Sequence, residues 1–418
     1  MKRRFSRWLV LCGALTLIAA ACGNGNDNSS GSSGGSDGGP KVWSYHPPGY
    51  ASATGASVKG EGELNLIDWP YYADKSIVKP FEAQTGCQVT VKDANTSDEM
   101  VNLMRQQGGT LYDGVSASGD ATLRLIAGGD VAPVNVNSFQ NYSNVMQTLQ
   151  APAHNTVDGV HYGVPYEWGP NILMWNTNVV KSPPSSWDVV FESNSPYAGE
   201  ITVYDSPIYI ADAAMYLSVH QPDLNITDPY ELTQQQFDAA VSLLKQQAGM
   251  VSKPWALYSD EIDGFESGDM AIGTAWPVNQ NLLVSDGKVP VASTTPSEGV
   301  TGWADTWMMS SHAQHPICML DWMNYTLQDK IQAATAVIFG ATPSVSTACG
   351  DLQQGLLKAY GKTVGKSAYD FYHCGDDQYL SSVHLWKTPV PDCGDSRGQT
   401  CIDYSTWTNA WTEIRGAG

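Results

Sequence analysis

Short strand patterns and amphipathic helix patterns alternate along the chain, and no other feature constrains its fold as strongly. The strand-like runs cover residues 64–69, 88–92, 112–116, 164–175, 201–204 and 302–309. The helical runs cover residues 75–86, 96–108, 122–127, 233–249 and 319–327, and a helix end turns into a strand over residues 265–276. This order predicts an α/β fold in which helices flank mostly parallel sheets.

The first two dozen residues have the composition of an export signal. Four basic residues within positions 1–7 precede an uncharged apolar run over 8–21 that ends in three alanines. That run is too short to cross a bilayer comfortably. Cys22 follows directly, and this arrangement resembles a bacterial lipobox. We therefore interpret residues 1–21 as a lipoprotein signal peptide and Cys22 as the lipidation site; an ordinary signal peptide with an incidental cysteine is the alternative.

A tether is predicted between the anchor and the folded part. Residues 23–39 are almost wholly Gly, Ser, Asn and Asp, which cannot bury apolar surface. Residues 41–59 also lack a regular pattern, so the tether is assigned to 22–60 and ordered structure is expected to begin near Glu61. The remaining chain is long enough for two domains of ordinary size. The predicted location is extracytoplasmic, lipid-anchored to the cell membrane in a periplasm or on its outer face.

The net charge is strongly negative, at −20. An acidic surface repels nucleic acid and anionic lipid headgroups, whereas it is compatible with a cationic ligand. A generic acidic extracellular surface explains the charge equally well. The chain also holds 14 Trp and 20 Tyr, which indicates aromatic walls of a site as well as core rings.

Six cysteines remain beyond Cys22, and an even number outside the cytoplasm predicts disulfides. Six cysteines allow 15 pairings. Cys393 and Cys401 flank a Gly-rich loop and are paired for that reason. Pairs Cys349–Cys374 and Cys87–Cys318 then follow by elimination.

The sequence offers no familiar metal cage or hydrolase motif. It contains no CxxC pair, no HExxH helix and no G-x-S-x-G elbow. His312 and His315 form an HxxH that Pro316 follows, with no acidic residue nearby in sequence, so a solvated loop is expected there. We therefore predict no catalytic residue, no metal and no cofactor. An extracellular hydrolase is the less favoured reading.

Several short segments, taken in order, resemble the extracytoplasmic solute-binding proteins of ABC importers, especially their spermidine/putrescine-binding branch. The segments are Asp68-Trp69-Pro70-Tyr71-Tyr72, residues 81–86, Tyr112-Asp113, residues 163–169, Trp175-Asn176, Ser186-Trp187-Asp188, residues 265–276, Gly302-Trp303-Ala304-Asp305 and residues 340–343. The similarity covers roughly residues 63–327. It implies a two-lobed periplasmic-binding-protein-like (Venus flytrap) fold, each lobe a mixed, mostly parallel sheet flanked by helices, that closes on its ligand by hinge motion.

The resemblance also implies a domain division and partners. Lobe 1 would comprise residues 61–165 and 303–345, and lobe 2 residues 166–302 and 346–418. The chain would cross between lobes near 166–175 and return near 303–309. The implied partners are a small cationic solute, the permease subunits of an ABC transporter and, through the lipid anchor, a membrane. A monomer is expected, with no nucleic acid bound.

Rings and acids in a cleft between the lobes are implied as the ligand site. The matching positions are Trp69, Tyr72, Ser118, Asp205, Trp276, Trp303 and Asp305, and Asp120 and Glu167 add acids where the family usually has none. Carboxylates and aromatic faces suit an ammonium ion because they replace its water. Each ring could instead belong to the core, and each acid could cap a helix, pair with a neighbour or lie in a solvated loop.

The same comparison shows departures that keep other ligands open. A second acid in lobe 2 would fall at Ile208, an aromatic residue at Ala341, and a late polar residue near Trp386-Lys387, where a lysine would repel a cation. A polyamine-like cation of the spermidine/putrescine class is the leading prediction. An oligosaccharide or a thiamine-like cation on the same fold, a sensory or adhesive module, and ferric ion bound by Tyr71 and Tyr72 are the alternatives.

Overall fold

The computed structural model of the protein describes residues 40–51, 57–393 and 399–417. Sixteen strands are described: β1 Trp43–Ser44, β2 Glu63–Asp68, β3 Gln88–Asp93, β4 Gly114–Ser118, β5 Val131–Ala132, β6 Val134–Asn135, β7 Thr156–Val157, β8 Val160–His161, β9 Val164–Pro170, β10 Ile172–Asn176, β11 Ile201–Thr202, β12 Ile272–Ala275, β13 Val291–Thr294, β14 Thr301–Ser310, β15 Thr342–Pro343 and β16 His384–Leu385. The predicted signal peptide and Cys22 lie outside the described residues.

Fourteen α-helices lie within the described ranges. They are α1 Lys75–Thr85, α2 Ser97–Met104, α3 Gly119–Ala127, α4 Gln147–Gln150, α5 Asp188–Phe191, α6 Ile210–His220, α7 Gln234–Ala248, α8 Tyr258–Ser267, α9 Pro277–Asp286, α10 Pro316–Thr326, α11 Asp329–Phe339, α12 Cys349–Tyr372, α13 Asp377–Ser382 and α14 Tyr404–Arg415. Within the described ranges, none of these helices has the length and apolar character needed to cross a bilayer.

Helix boundaries follow the signals in the sequence. Asp74 caps α1 by accepting a hydrogen bond from the backbone N–H of Ser76, and the helix ends at Gly86 with φ +81°. Thr96 caps α2, and Thr233 and Gln236 form a capping box at the start of α7. These local signals explain why the first helices lie within a few residues of their predicted positions.

The larger sheet has eight strands and is mixed. Its main order is β15-β9-β14-β4-β2-β3, and β5 and β16 also pair with β14. Strands β2, β3 and β4 are parallel because α1 and α2 carry the chain back between them. The long strand β14 runs antiparallel to β4 and β9. In the larger sheet, parallel pairing is therefore found mainly among β2, β3 and β4. The expectation of a mostly parallel sheet holds only for these three strands.

The smaller sheet has four strands in the order β11-β12-β10-β13. Only β11 and β12 are parallel, and β10 runs antiparallel to both of its neighbours. The chain passes from the larger to the smaller sheet between β9 and β10, and it returns between β13 and β14. The single strand predicted over 164–175 is thus two strands in different sheets.

Asn171 occupies the passage between the two sheets. Its backbone N–H donates to the carbonyl oxygen of Thr301 at 2.8 Å, and its side-chain amide donates to Thr301 Oγ1 at 2.7 Å. These bonds tie the outgoing crossing segment to the returning one. The two sheets with their helices give the mixed two-lobed architecture, and the residue boundaries of the lobes stay a prediction.

The segment before residue 61 is more structured than the sequence indicated. Strand β1 pairs in parallel with β6, with Trp43 opposite Val134. Tyr45 is buried and stacks on Phe139 with ring centroids 5.7 Å apart. The prediction that ordered structure begins near Glu61 is therefore wrong. The pairing joins residues about 90 positions apart, which a local pattern does not reveal.

Three disulfides link the expected pairs. Cys87–Cys318 joins the start of β3 to α10, Cys349–Cys374 brackets α12, and Cys393–Cys401 closes a short loop before α14. The first of these connects residues 231 positions apart and ties the early part of the larger sheet to a late helix.

Candidate ligand-binding site

Four acidic residues and one serine meet at one edge of the larger sheet. Asp68 ends β2, Ser118 ends β4, Asp120 lies in the first turn of α3, Glu167 lies on β9 and Asp305 lies on β14. The parallel strands β2 and β4 bring their carboxyl ends to the same edge, and Ser118 lies opposite Asp305 in the register. All five side chains are buried. We call Asp68, Asp120, Glu167 and Asp305 the acidic group.

Asp305 is at the centre of the acidic group. The Tyr72 hydroxyl donates to its Oδ2 at 2.5 Å, and the Ser118 hydroxyl donates to its Oδ1. Burial raises the pKa of this carboxyl to about 7, against the lowering effect of the two hydrogen bonds, and the charge of Asp120 adds to the increase. Three of the predicted site residues, Tyr72, Ser118 and Asp305, are therefore in direct contact.

A bulge in β9 brings Glu167 beside Asp305. Ala304 pairs with Trp168 and Thr306 with Pro165, so Tyr166 and Glu167 together face the single residue Asp305. Both carboxylate oxygens of Glu167 are buried and have no hydrogen-bond partner among the described residues. Burial, and next the charge of Asp305, raise the pKa of Glu167 well above its usual range.

Asp68 belongs to the same group, although it was not among the predicted site residues. Its Oδ1 accepts a hydrogen bond from the backbone N–H of Trp69 at 2.8 Å, whereas its Oδ2 is buried without a partner among the described residues. Burial raises its pKa well above the usual range, and Asp305 adds to the increase. The only sequence signal was an acid at the carboxyl end of a buried strand.

Asp120 lies further along the same edge. Its Oδ1 accepts a hydrogen bond from the Ser97 hydroxyl at 2.7 Å. Burial raises its pKa to about 6, with the Ser97 bond and the charge of Arg124 acting in the opposite direction. Asp120 and Glu167 were predicted from positions that are usually not acidic in the resembling family, and both are buried with the other acids.

Aromatic rings adjoin the acidic group from both sheets. Trp303, on β14, has its ring centroid 6.3 Å from that of Trp276, which follows β12 of the smaller sheet. Phe339 lies between the rings of Tyr72, at 4.1 Å, and Trp303, at 5.7 Å. Trp69 follows Asp68 and is buried, with no partner for its indole N–H among the described residues. Phe339 was not among the predicted site residues.

Residues beyond position 380 form a further wall of the candidate site. Trp386 is buried and stacks on Tyr204 with centroids 5.5 Å apart. A Cβ on Gly119 would lie 1.7 Å from the Trp386 carbonyl oxygen, so only glycine allows this close approach. Lys387 donates to Asp228 at 2.9 Å and to Glu231 at 2.5 Å. Its charge is therefore paired, and the expected repulsion of a cation by this lysine is offset.

The structure does not bring Asp205 into contact with the other acids. Its carboxylate accepts a hydrogen bond from the Trp411 indole N–H at 3.0 Å and pairs with Arg415, both on α14. Ile208, where a second acid of the family would fall, is fully buried. Among the described residues, the acids gathered at the site thus come from the larger sheet and from α3.

The groups considered for metal binding have other partners. His315 Nδ1 lies 2.9 Å from Asp113 Oδ2, so the expectation that this histidine lies in a solvated loop without an acid is wrong. The Tyr71 hydroxyl accepts a hydrogen bond from Tyr258, whereas Tyr72 donates to Asp305, so the two tyrosines do not share one partner. Asp188, His220 and Glu298 place one ligand atom each within 4.8 Å of one another, at a different place from the acidic group.

Three members of the acidic group lack a positive partner in the part of the chain that the structure describes. Among the described residues, no Lys, Arg or His forms an ion pair with Asp68, Glu167 or Asp305. Buried carboxylates are unfavourable unless a cation or a set of donors replaces their water. Such a group, flanked by rings, favours the binding of a positively charged molecule.

A comparison with known protein families shows which family the chain belongs to. The family described as bacterial extracellular solute-binding protein matches residues 76–353. The chain belongs to that family. As a solute-binding protein it is a receptor for small molecules rather than an enzyme, and the two-lobed fold expected from the sequence agrees with it.

Individual relatives of this solute-binding protein are distant. The putrescine-binding periplasmic protein PotF of Escherichia coli is 22% identical over 301 residues, which are 68% of this chain and 78% of that protein. The structure of a spermidine/putrescine ABC transporter substrate-binding protein, PotD from Streptococcus pneumoniae, superposes with a TM-score of 0.65 at 15% identity. A putative spermidine/putrescine ABC transporter from Listeria monocytogenes gives 0.67 at 15% identity. Each superposition covers 85% of this chain and 99% of the other.

Proposed function

We propose that this solute-binding protein is the lipid-anchored receptor of an ABC importer and that it binds an organic cation of the polyamine class. Its ligand would lie between the two sheets and would be delivered to a membrane permease. The distant relatives that bind putrescine and spermidine support this proposal, and so does the chemistry of the acidic group.

The observation that carries the proposal is the burial of four carboxyl groups with rings beside them, three of which have no basic side chain paired to them among the described residues. Polyamines are ammonium groups joined by methylenes. Carboxylates compensate for the lost water of an ammonium group, and aromatic faces contact both the methylenes and the charge. In this proposal Asp305, Glu167, Asp68 and Asp120 bind the nitrogens.

Aromatic residues would bind the carbon chain of the ligand. Trp69, Tyr72 and Trp303 would contact it from the larger sheet, and Trp276 from the smaller one. Ser118 would act by orienting Asp305, because its hydroxyl already donates to that carboxylate. For Asp205 a direct contact remains a prediction, and its present partners are Trp411 and Arg415.

An oligosaccharide is the second candidate. The observation that favours it is the set of buried indole N–H groups that have no partner within the described ranges, which includes those of Trp69, Trp303 and Trp386. Such donors suit sugar hydroxyls, and rings stack on the faces of sugars. The clustering of four acids weighs against a neutral ligand, because nothing in a sugar would compensate for their charge.

Isothermal titration calorimetry with the purified protein tests the proposal. Putrescine and spermidine are the expected ligands, with a neutral oligosaccharide and thiamine as comparison ligands. We expect heat of binding and an increase in Tm with at least one of the two polyamines. Binding of the oligosaccharide alone would replace the cation proposal with the second candidate.

The anchor and the delivery step need separate experiments. Replacing Cys22 with serine should move the protein from the membrane fraction to the soluble extracytoplasmic fraction without changing its ligand binding. If the variant stays in the membrane fraction, the lipid anchor is excluded. Delivery is tested by ligand uptake into cells with and without the protein, since a receptor for import should raise the uptake of radiolabelled ligand.

A further inference from the structure

A cavity opens beside the candidate site, at the junction of the two sheets. Its volume is about 280 Å³. Tyr71, Ile338 and Phe339 line it from the side of the larger sheet, and Tyr258 and Trp276 line it from the side of the smaller sheet. The described residues that line it include no charged side chain. We call this space the mouth cavity.

Two rings connect the mouth cavity to the acidic group. Phe339 lines the cavity and also contacts Tyr72, whose hydroxyl donates to Asp305. Trp276 lines the cavity and contacts Trp303, which lies two residues from Asp305 on β14. A ligand with one end at Asp305 would therefore pass between these rings to place its other end in the mouth cavity.

Charge is distributed unequally along this path. The four members of the acidic group lie at the inner end, on the larger sheet and α3. On the side of the smaller sheet, Asp205 is paired with Arg415 and bonded to Trp411, and Ile208 is apolar. Asp260 and Glu261 lie in the first turn of α8, yet neither lines the mouth cavity. An ammonium group at the outer end would lose water without gaining a carboxylate.

The rim of the mouth cavity contains a backbone conformation that is rare for a bulky residue. Tyr71 has φ +78°, and its side chain is half exposed while its hydroxyl meets that of Tyr258 at 3.1 Å. Strained residues of this kind are concentrated at ligand-binding sites. The conformation directs the Tyr71 ring toward Tyr258 on the opposite side, with centroids 6.2 Å apart.

From these observations we infer that the cation bound by this protein is charged at one end only, and that its other end is an uncharged aromatic or aliphatic group that occupies the mouth cavity. The inference rests on the proposed function, since it takes the charged end to lie at the acidic group. A volume near the lower limit of drug-sized pockets suits one ring or a short branched chain. An N-acylated diamine with an aromatic acyl group has this chemistry.

Matched ligands test the inference directly. Putrescine and N-benzoylputrescine share one ammonium end and the same four-carbon spacer, and they differ in whether the other end is charged or apolar. Titration calorimetry on the full chain should give a dissociation constant at least tenfold lower for N-benzoylputrescine. Equal affinities, or tighter binding of putrescine, would overturn the inference and leave the proposed function standing. Failure of both ligands to bind would remove the proposed function and the inference together.

A charge placed in the mouth cavity should reverse the preference. Ile338 is 36% exposed, so Ile338→Glu is compatible with folding. We expect this variant to bind N-benzoylputrescine at least tenfold more weakly and putrescine more tightly than the unmodified protein. Leu282→Glu, on the opposite wall, should act in the same direction. Val219→Glu, at an exposed position of α6 that does not line the cavity, is the matched control and should leave both constants unchanged. Unchanged preference in both cavity variants would overturn the inference.

Discussion

The hydroxyl of Tyr72 donates to Oδ2 of Asp305 at 2.5 Å, across 233 positions of sequence. Tyr72 belongs to the loop after the first strand of the larger sheet, and Asp305 belongs to the strand that returns from the smaller sheet. The bond therefore fixes an acid at the junction where the chain re-enters the larger sheet. Tyr72 also contacts Phe339, so one side chain touches both the acidic group and the wall of the mouth cavity.

Replacing Asp305 with asparagine should abolish most of the affinity for an organic cation. The amide keeps a similar shape and can still accept the bond from Tyr72, whereas it carries no charge. Removing one charge from a buried charge pair costs about 2 kcal/mol or more, or roughly thirtyfold in the dissociation constant. Calorimetry with putrescine or its benzoylated derivative measures the effect. Asp286→Asn, at an exposed acid paired with Lys288, is the control and should bind normally.

Cation binding should weaken as the pH falls from 8 to 5.5. Burial raises the pKa of Asp305 to about 7 and that of Asp120 to about 6, so protons occupy these carboxyls in acid and compete with the cation. Each such carboxyl changes the affinity by up to about tenfold per pH unit below its pKa. A dissociation constant that stays the same over this range would show that neither carboxyl contacts the charge.

The stability of the unliganded protein should depend on pH in the opposite direction. The folded-state pKa values of Asp305 and Asp120 are raised above the value of about 3.9 for an unfolded Asp. Their contribution to the free energy of unfolding is therefore complete below about pH 4 and is lost as the pH rises through 6 to 7. The increase in Tm on adding ligand should grow from pH 5.5 to 8. In the Asp305→Asn variant, the ligand-induced increase in Tm should change less between pH 5.5 and 8.

Removing the ring of Trp276 should weaken binding moderately. The ring contacts Trp303 and lines the mouth cavity, and its indole N–H donates to Asn171 at 3.1 Å. A contact between the ring and the apolar end of the ligand contributes about 0.5–1.5 kcal/mol, so Trp276→Ala should raise the dissociation constant of N-benzoylputrescine between about twofold and twelvefold. Trp276→Phe keeps an aromatic face and should recover part of the loss. Trp43→Ala, on β1, is the matched control; if it weakens binding equally, the ring of Trp276 has no specific role.

Local patterns predicted the elements of the first part of the larger sheet well. Apolar periodicity, the caps at Asp74 and Thr96 and the stop at Gly86 act within a few residues of one another, so the sequence contains the whole signal. The passage at Asn171 was missed because an apolar run looks the same whether its two halves join one sheet or two. Strand β1 was missed because its partner lies far away in the sequence.

In the candidate site, too, some residues could be predicted from the sequence, whereas others depend on partners that lie far away in the sequence. Resemblance to a family selected Tyr72, Ser118 and Asp305, and the structure brings these three into contact. Asp68 was missed because an acid after a strand has the same local pattern whether it is solvated or buried. The partners of Asp205 lie on the last helix, more than 200 positions away, and no spacing rule could have linked them.

The Cys87–Cys318 disulfide should stabilise the protein more than Cys393–Cys401. It closes a loop across 231 positions, whereas the other closes a loop across 8. In the chain-entropy model a longer loop restricts the unfolded chain more, and the difference between these two loops amounts to about 3 kcal/mol. Replacing Cys87 and Cys318 with serine should therefore lower the free energy of unfolding in urea by more than replacing Cys393 and Cys401. Both variants would be compared under the same non-reducing conditions with a polyamine absent. Equal losses would mean that Cys87–Cys318 acts through local contacts of the folded state, because the entropic difference would then have no effect.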